Sequence, residues 1–133
     1  CREAYRELAE VIKQHKGVRG TVHCFTGNEE EAERLLALGL YIGFTGVITF
    51  SPKASDPKAH ERLLEAVRRV PLERLLIETD APYLAPAAYR GKTCEPWMVE
   101  EVAKKVAELK GLDLATVENA TAENAKKLFG VVY

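Results

Sequence analysis

Apolar residues recur at two different spacings along the chain, and each spacing predicts a type of secondary structure. In segment 2–16, Tyr5, Leu8, Ala9 and Ile12 lie three or four positions apart among charged residues, which is the period of an amphipathic helix. Segment 18–25 is short and rich in β-branched residues, which favours a strand. Helical and strand patterns then alternate as far as residue 79, and helical patterns follow.

Capping residues and glycines indicate where the predicted elements begin and end. Asn28 and Asp56 are good N-caps, because their side chains accept hydrogen bonds from the free amides of a first helical turn. Pro57 suits that turn as well, and Gly39 ends the second helix. We predict helices over 2–16, 29–38, 57–70, 96–110, 114–120 and 122–129, and strands over 18–25, 40–50 and 75–79.

The order of these elements predicts an α/β fold. Successive strand and helix units form right-handed crossovers, which produce a parallel sheet with helices packed against it. The nearly uncharged strand 40–50 suits a position covered on both faces, and Gly43 and Gly46 mark a close backbone approach or a bulge. A closed TIM-type (β/α)8 barrel takes about 250 residues. We therefore expect a single segment, 1–133, that forms about half of such a barrel.

Composition and charge exclude several classes of protein. The 133 residues are 47% hydrophobic, and 19 Lys plus Arg nearly balance 20 Asp plus Glu, for a net charge of −1. Such a chain has enough apolar residues to fold and lacks the charge excess of a disordered or basic tail. No segment reaches the roughly 18 consecutive apolar residues of a membrane-spanning helix, so we expect no membrane partner.

The cysteines and the first residue indicate a cellular setting. Cys1, Cys24 and Cys94 are odd in number and have no CxxC spacing, which argues against a disulfide framework and a four-thiolate zinc site. We expect a reducing, cytoplasmic location. Because the chain opens on Cys1 without a secretory leader, we also expect it to begin inside a longer parent.

Two polar residues stand at the carboxyl ends of predicted strands, where parallel sheets carry active-site side chains. His23 lies near the end of the first strand, and Asp80 directly follows the third. An imidazole and a carboxylate form part of a ligand set for zinc, manganese or magnesium, and the carboxylate also serves to activate water. The structural alternative is a histidine bonded to backbone and an aspartate that caps a turn. Cys24 is expected on the opposite face from His23, which argues against a Cys–His nucleophilic pair.

Glu78 favours the functional interpretation, because it lies two residues before Asp80 and so faces the same side of the strand. Two carboxylates on an apolar strand are costly unless they meet cations or hydrogen-bond donors. We expect Glu78 to contact a metal-ligating residue rather than the ion itself. Arg90 and Lys92 lie in a glycine-containing loop on the same edge, where they either meet a phosphate or face solvent.

Three motifs follow one another along the chain. They are GTVHCFTG at 20–27, IETDAPYL at 77–84, and RGK at 90–92 followed by EP at 95–96. Together they resemble the TatD family of metal-dependent deoxyribonucleases, and NAKKLFG at 124–130 is similar to that family's C-terminal helix. The resemblance covers essentially the whole chain, and the order and spacing of the motifs are highly specific.

The resemblance implies an activity and a role for each candidate residue. His23 would be a ligand of one of two divalent ions, and Asp80 would be both a ligand and the activator of the attacking water. The reaction would be hydrolysis of phosphodiester bonds at the ends or in single strands of DNA. Arg90 and Lys92 would approach the substrate phosphate. Cys94 stands where the family commonly has asparagine, which puts the contacts of that loop in question.

The resemblance also implies what this chain lacks. Family members carry an HxH pair, a bridging glutamate and a further histidine in the N-terminal half of the barrel, which is absent here. We therefore expect weak or no binding of the two ions (Mg, Mn or Zn) and no activity by the chain alone. Unpaired barrel edges predict self-association. Two alternatives stay open: an inactive fragment or interaction scaffold, and a related metal-dependent hydrolase of amides or lactones.

Overall fold

The computed structural model describes residues 1 and 3–131. Within these residues the helices and strands are α1 (Tyr5–Lys13), β1 (Thr21–Val22), α2 (Glu29–Ala37), β2 (Tyr41–Phe44), α3 (Pro57–Arg69), β3 (Leu75–Ile77), α4 (Val99–Lys110) and α5 (Leu114–Phe129). Short 3-10 helices lie at Gly46–Thr49, Leu72–Arg74, Ala87–Tyr89 and Pro96–Met98. None of the helices in the described part of the chain is both long and apolar enough to cross a membrane.

The strands form one parallel sheet in the order β1, β2, β3. Thr21 pairs with Tyr41, and Phe44 pairs with Ile77, so the carboxyl ends of all three strands meet at one edge. Every residue of β2 is buried, as expected of a parallel strand covered on both faces. The predicted α/β fold with parallel strands is confirmed, and the structure is part of a barrel rather than a closed one.

Aromatic packing anchors the chain where β1 ends. The Phe25 ring is buried and lies 4.8 Å from the Tyr5 ring and 6.0 Å from the Phe44 ring, measured between centroids. The Tyr5 hydroxyl also accepts a hydrogen bond from the Thr26 amide at 3.0 Å. These contacts fix the backbone on the C-terminal side of His23.

The predicted helix caps are confirmed. Asn28 accepts a hydrogen bond from the Glu31 amide at 3.0 Å, and the Glu31 carboxylate accepts one from the Asn28 amide at 2.9 Å. This reciprocal pair satisfies two amides at the start of α2. Asp56 accepts a hydrogen bond from the Ala59 amide at 3.0 Å and caps α3 in the same way.

The strands are shorter than predicted, and the prediction of one strand over 40–50 is wrong. β2 ends at Phe44, and the buried Thr45 side chain accepts a hydrogen bond from the Val47 amide and begins the 3-10 helix Gly46–Thr49. A short apolar run does not distinguish a buried strand from a buried helical turn. Segments 18–25 and 75–79 also shorten, to two and three paired residues.

The helices in the structure differ from the predicted helices at three places. The two helices predicted over 114–120 and 122–129 are the single helix α5, because the Thr121 hydroxyl donates to the Val117 carbonyl at 2.9 Å and is satisfied without a break. The helix predicted over 96–110 begins as a 3-10 turn before α4. α1 is shorter than 2–16, and the predicted start at Arg2 lies outside the described residues.

Candidate functional site

The structure brings His23, Glu78 and Asp80 together at the carboxyl edge of the sheet. His23 lies in the turn after β1, and the two acids follow β3. The imidazole Nδ1 is 2.8 Å from Glu78 Oε1, and Nε2 is 2.5 Å from Asp80 Oδ1. We call these three residues the strand-end cluster. Both imidazole nitrogens therefore face carboxylates.

Gly43 makes this contact across the sheet possible. β2 lies between β1 and β3, and a methyl group on Gly43 would lie 2.7 Å from Glu78 Oε2. The β2 backbone also holds both neighbours, since the Phe25 amide donates to the Gly43 carbonyl at 2.9 Å and the Glu78 amide to the Phe44 carbonyl at 3.0 Å. The close approach predicted at Gly43 is confirmed. The Glu78 carboxylate occupies the space that a side chain at this position would fill.

Contacts of Cys24 connect the turn that holds His23 to the residues that follow β2 and β3. Its amide donates to Glu78 Oε1 at 2.7 Å, and its Sγ lies 3.3 Å from the Thr45 hydroxyl. The backbone of Cys24 is left-handed, with a φ of 49°, a conformation that costs a non-glycine residue about 1 kcal/mol or more. The expectation that strand alternation places Cys24 opposite His23 is wrong in its reasoning, because β1 has already ended at Val22.

The charges around His23 favour its protonated form. Burial opposes charging of the imidazole, but the hydrogen bonds and negative charges of Glu78 and Asp80 outweigh it and raise the His23 pKa. Burial raises the pKa of the Cys24 thiol, and the neighbouring Asp80 and Glu78 charges add to that rise. A protonated thiol is a poor nucleophile.

The chemistry of these donors fits part of a divalent metal centre. An imidazole nitrogen and a carboxylate oxygen are common ligands of zinc, manganese and, for the oxygen, magnesium. Glu78 on Nδ1 matches the outer carboxylate that orients a metal-binding histidine. Residues 1 and 3–131 contain no group of three or more His, Cys, Asp or Glu side chains arranged to hold a metal ion. His23 and Asp80 supply two donors of the kinds that such a centre uses.

Neither Arg90 nor Lys92 forms an ion pair with the strand-end cluster among the described residues. The Arg90 guanidinium lies 4.3 Å from the centroid of the Phe50 ring, and the Lys92 ammonium lies 5.7 Å from that of Tyr89. Neither cation forms an ion pair with another residue in the described part of the chain. The two cations therefore keep their charge available on the loop.

Sequence reasoning missed Thr45 and Phe50 as parts of this region. Thr45 contacts Cys24, and Phe50 lies under Arg90. Both belong to the apolar run that we predicted as one strand, so the pattern offered no signal for either. Gly43 did provide a signal, because a glycine inside a strand marks a close approach.

Comparison with known proteins places this geometry in a family. The model of the TatD related DNase family matches residues 1–130. The chain is 41% identical over 132 residues to the uncharacterized metal-dependent hydrolase YcfH of Escherichia coli strain K12, a match that covers 98% of this chain and 47% of YcfH. It is 36% identical over 137 residues to the 3'-5' ssDNA/RNA exonuclease TatD of Erwinia tasmaniensis, which covers 98% of this chain and 51% of that protein.

A solved structure agrees with the sequence comparison. The crystal structure of YJJV, a TatD homolog from Escherichia coli K12, superposes with a TM-score of 0.85 at 32% identity, and the match covers 98% of this chain and 48% of YJJV. The chain spans about half the length of the curated relatives it matches. Because the family model matches nearly every residue, the chain belongs to the TatD related DNase family.

Proposed function

We propose that this chain is the C-terminal half of a TatD barrel and carries part of the active site of a metal-dependent phosphodiesterase that hydrolyses DNA. The observation that carries the proposal is the His23 imidazole held between Glu78 and Asp80 at the carboxyl edge of the sheet. The names of the relatives, a metal-dependent hydrolase and a single-strand exonuclease, support it. The coverage of about half of each relative supports the assignment to half a barrel.

In this proposal each member of the strand-end cluster has a defined role. His23 Nε2 and the Asp80 carboxylate are ligands in a centre of two divalent ions, Mg, Mn or Zn, which polarise the phosphodiester when bound. Glu78 keeps Nδ1 occupied and so presents Nε2 to the ion. Asp80 also accepts the proton of the attacking water. The other ligands come from the half of the barrel outside residues 1–133.

Arg90 and Lys92 are proposed to bind the phosphate chain of the substrate. Both lie on the loop that follows Asp80, and neither charge is neutralised by an acid in the described part of the chain. Their placement over aromatic rings limits the motion of the charged groups. They therefore supply positive charge to a chain whose net charge is −1.

The isolated chain is proposed to be inactive and to self-associate. Two ligands neither complete the geometry of a centre nor neutralise its charge, and β1 and β3 each have one neighbouring strand among the described residues. Open edges of this kind pair with other strands. Light scattering of the 133-residue chain is expected to give a dimer or larger species, and a monodisperse monomer would contradict this part. Three free cysteines suit the reducing cytoplasm proposed as its location.

The test of the proposed function is hydrolysis of a labelled DNA strand by the full-length protein in Mg²⁺ or Mn²⁺. We expect EDTA to abolish cleavage and Asp80→Asn to lower kcat by at least about 100-fold, since one group supplies both a ligand and a base. Glu33→Gln is the matched control, because Glu33 is exposed on α2 away from the cluster. Cleavage that survives EDTA, or full activity in Asp80→Asn, overturns the proposal, and metal-dependent turnover of an amide or lactone alone would replace it.

A further inference from the structure

The segment that follows β2 contacts both parts of the candidate site. We call residues 45–50 the β2 turn. At its start the buried Thr45 hydroxyl lies 3.3 Å from Cys24 Sγ, in the turn that holds the imidazole. At its end the centroid of the Phe50 ring lies 4.3 Å from the Arg90 guanidinium. One short segment therefore connects the strand-end cluster with the loop of the two proposed phosphate-binding cations.

The Thr49 hydroxyl is hydrogen-bonded on both sides. It donates to the Gly46 carbonyl at 2.6 Å and accepts from the Ala87 amide at 2.8 Å. Ala87 begins the short 3-10 helix that precedes Arg90, and its carbonyl accepts from the Arg90 amide at 3.3 Å. A continuous row of hydrogen bonds therefore runs from the β2 turn to the Arg90 backbone.

Close backbone packing at Gly46 supports this attachment. A methyl group on Gly46 would lie 2.8 Å from the Leu84 carbonyl oxygen and 3.1 Å from the ring of Pro86. Leu84 is left-handed, with a φ of 54°, a conformation that persists in a non-glycine residue only where its surroundings hold it. The close approach predicted at Gly46 is confirmed, because the loop fills the space that a side chain there would need.

The loop's own hydrogen bonds do a different job from the bond to Thr49. The Cys94 amide donates to the Pro82 carbonyl and the Lys92 amide to the Tyr89 carbonyl, both at 3.0 Å. Such bonds hold the parts of the loop together but do not fix its place against the sheet. The Thr49 hydroxyl comes from the segment that follows a neighbouring strand, so it sets the position of the loop relative to that strand.

We infer that Thr49 is a positioning residue that holds Arg90 at a fixed place relative to the strand-end cluster, so that the cation and the metal centre meet one phosphate chain. This inference rests on the proposed function and adds the residue that aligns its two parts. Charged groups that are already in place need no rearrangement when a substrate binds. Thr49 acts through Ala87 and Arg90 rather than by contact with the substrate.

The first test measures KM and kcat of the full-length protein on a labelled DNA strand in Mn²⁺. Thr49→Val keeps the shape of the side chain and removes both hydrogen bonds of the hydroxyl. We expect KM to rise by about 2- to 10-fold, the factor that corresponds to one hydrogen bond. We expect kcat and Mn²⁺ affinity to stay unchanged, because the loss affects substrate binding and leaves the ligands in place.

Two variants control for the substitution itself. Thr49→Ser keeps the hydroxyl and is expected to restore KM. Thr116→Val is the matched control, because it removes a hydroxyl that donates to the Asp113 carboxylate at 2.6 Å at the start of α5. Its KM is expected to equal that of the unmodified protein.

The second test combines Thr49→Val with Arg90→Ala. If Thr49 acts through Arg90, the double variant has the KM of Arg90→Ala alone, because no guanidinium is left for Thr49 to position. A general loss of structure would instead act independently of Arg90, and the two increases in KM would multiply.

The third test is amide hydrogen exchange followed by nuclear magnetic resonance, which needs neither metal nor DNA. The Ala87 amide is expected to exchange at least about 10-fold faster in Thr49→Val, because its bond to the hydroxyl is lost. The Tyr83 amide donates to the Asp80 carbonyl and is expected to keep its rate. Thr49→Ser is expected to keep both rates.

Three results overturn the inference: an unchanged Ala87 exchange rate in Thr49→Val, an unchanged KM in that variant, or increases in KM that multiply in the double variant. Failure of the proposed function gives a different result. In that case the unmodified full-length protein does not cleave DNA in Mn²⁺, although Ala87 still exchanges faster in Thr49→Val. Metal-dependent cleavage with the same KM in both proteins rejects the role of Thr49 alone.

Discussion

The strand-end cluster and the loop that carries Arg90 and Lys92 hold their charged groups in opposite ways. His23 is fixed by carboxylates on both nitrogens, and its turn is bonded to β2 and β3. Arg90 and Lys92 instead lie over rings on an exposed loop, with no acid attached in the described part of the chain. A metal centre needs donors within about 0.5 Å of their working positions, whereas a flexible strand tolerates looser contacts. The difference fits the proposed division between a metal centre at the strand-end cluster and phosphate binding on the loop.

The largest expected effect comes from filling the space under Glu78. Gly43→Ala places a methyl group against the Glu78 carboxylate, so the carboxylate shifts and releases His23. We expect a loss of about 1–3 kcal/mol in the free energy of unfolding, as for other overpacked positions, and at least about 100-fold lower kcat in the full-length protein. Urea denaturation and a DNA cleavage assay measure the two effects.

Gly20→Ala is the control for this substitution. A methyl group on Gly20 would meet only the end of the Leu40 side chain at 4.0 Å, an ordinary contact. Its kcat is expected to match that of the unmodified protein. Equal kcat values for Gly43→Ala and Gly20→Ala would show that the position of Glu78 has no effect on the reaction.

The next effect separates the outer carboxylate from the proposed ligands. Glu78→Gln keeps the shape of the side chain but removes the charge that faces His23 Nδ1. Loss of such a partner costs about 10- to 100-fold in metal affinity. Isothermal titration of the full-length protein with Mn²⁺ measures it, and affinity that equals that of the unmodified protein would remove Glu78 from the site.

The pH dependence of His23 is the third way to examine the strand-end cluster. Glu78 and Asp80 raise the imidazole pKa against the effect of burial, so the metal-free protein keeps His23 charged above its ordinary pKa of about 6.5. The stabilisation from these contacts is fully present below about pH 6.5 and is lost as the pH rises through the folded-state pKa. Metal affinity rises over the same interval, because a ligand imidazole must be neutral.

Nuclear magnetic resonance of the His23 ring protons measures this pKa directly. Asp80→Asn removes one of the two carboxylates and is expected to lower the pKa. A His23 pKa below 6.5 in the metal-free protein, or one that Asp80→Asn leaves in place, is inconsistent with the geometry described above.

The smallest expected effects belong to Arg90 and Lys92, the two cations of the loop that follows Asp80. Arg90→Ala and Lys92→Ala are each expected to weaken strand binding severalfold and to lower the slope of log affinity against log salt by about 0.7, the value for one phosphate contact on a single strand. Lys16→Ala, on an exposed turn after α1, is expected to leave that slope unchanged. If all three variants share one slope, the loop cations do not bind phosphate.

The sequence predicted this molecule well where one residue type determines the local structure. Asn28 and Asp56 start their helices as predicted, and Gly43 lies at a close approach as predicted. The prediction was wrong in the segment 40–50, where nearly every residue is uncharged and the spacing of polar residues shows neither a strand nor a helix. There the chain forms a 3-10 helix that begins after Thr45. Tertiary packing decides between a strand and a turn there, and a pattern of apolar residues does not carry that information.

The candidate site, like the fold, could be predicted only in part from the sequence. Positions at strand ends predict His23 and Asp80 from the sequence, because the carboxyl ends of parallel strands lie at one edge of a sheet. The Glu78 contact with His23 Nδ1 depends on the register of β2 against its neighbours. Register in a buried sheet comes from three-dimensional packing, so neither the contact nor the Cys24 amide bond was predictable from spacing alone.

The most direct test of the central claim is a crystal structure of the full-length protein grown with Mn²⁺ and measured at wavelengths that give manganese anomalous signal. We expect an anomalous peak about 2.0–2.3 Å from both His23 Nε2 and an Asp80 carboxylate oxygen, with Glu78 still on Nδ1. A direct His23–Asp80 hydrogen bond that persists at saturating Mn²⁺, with no peak beside it, would exclude these two residues as ligands of the ion.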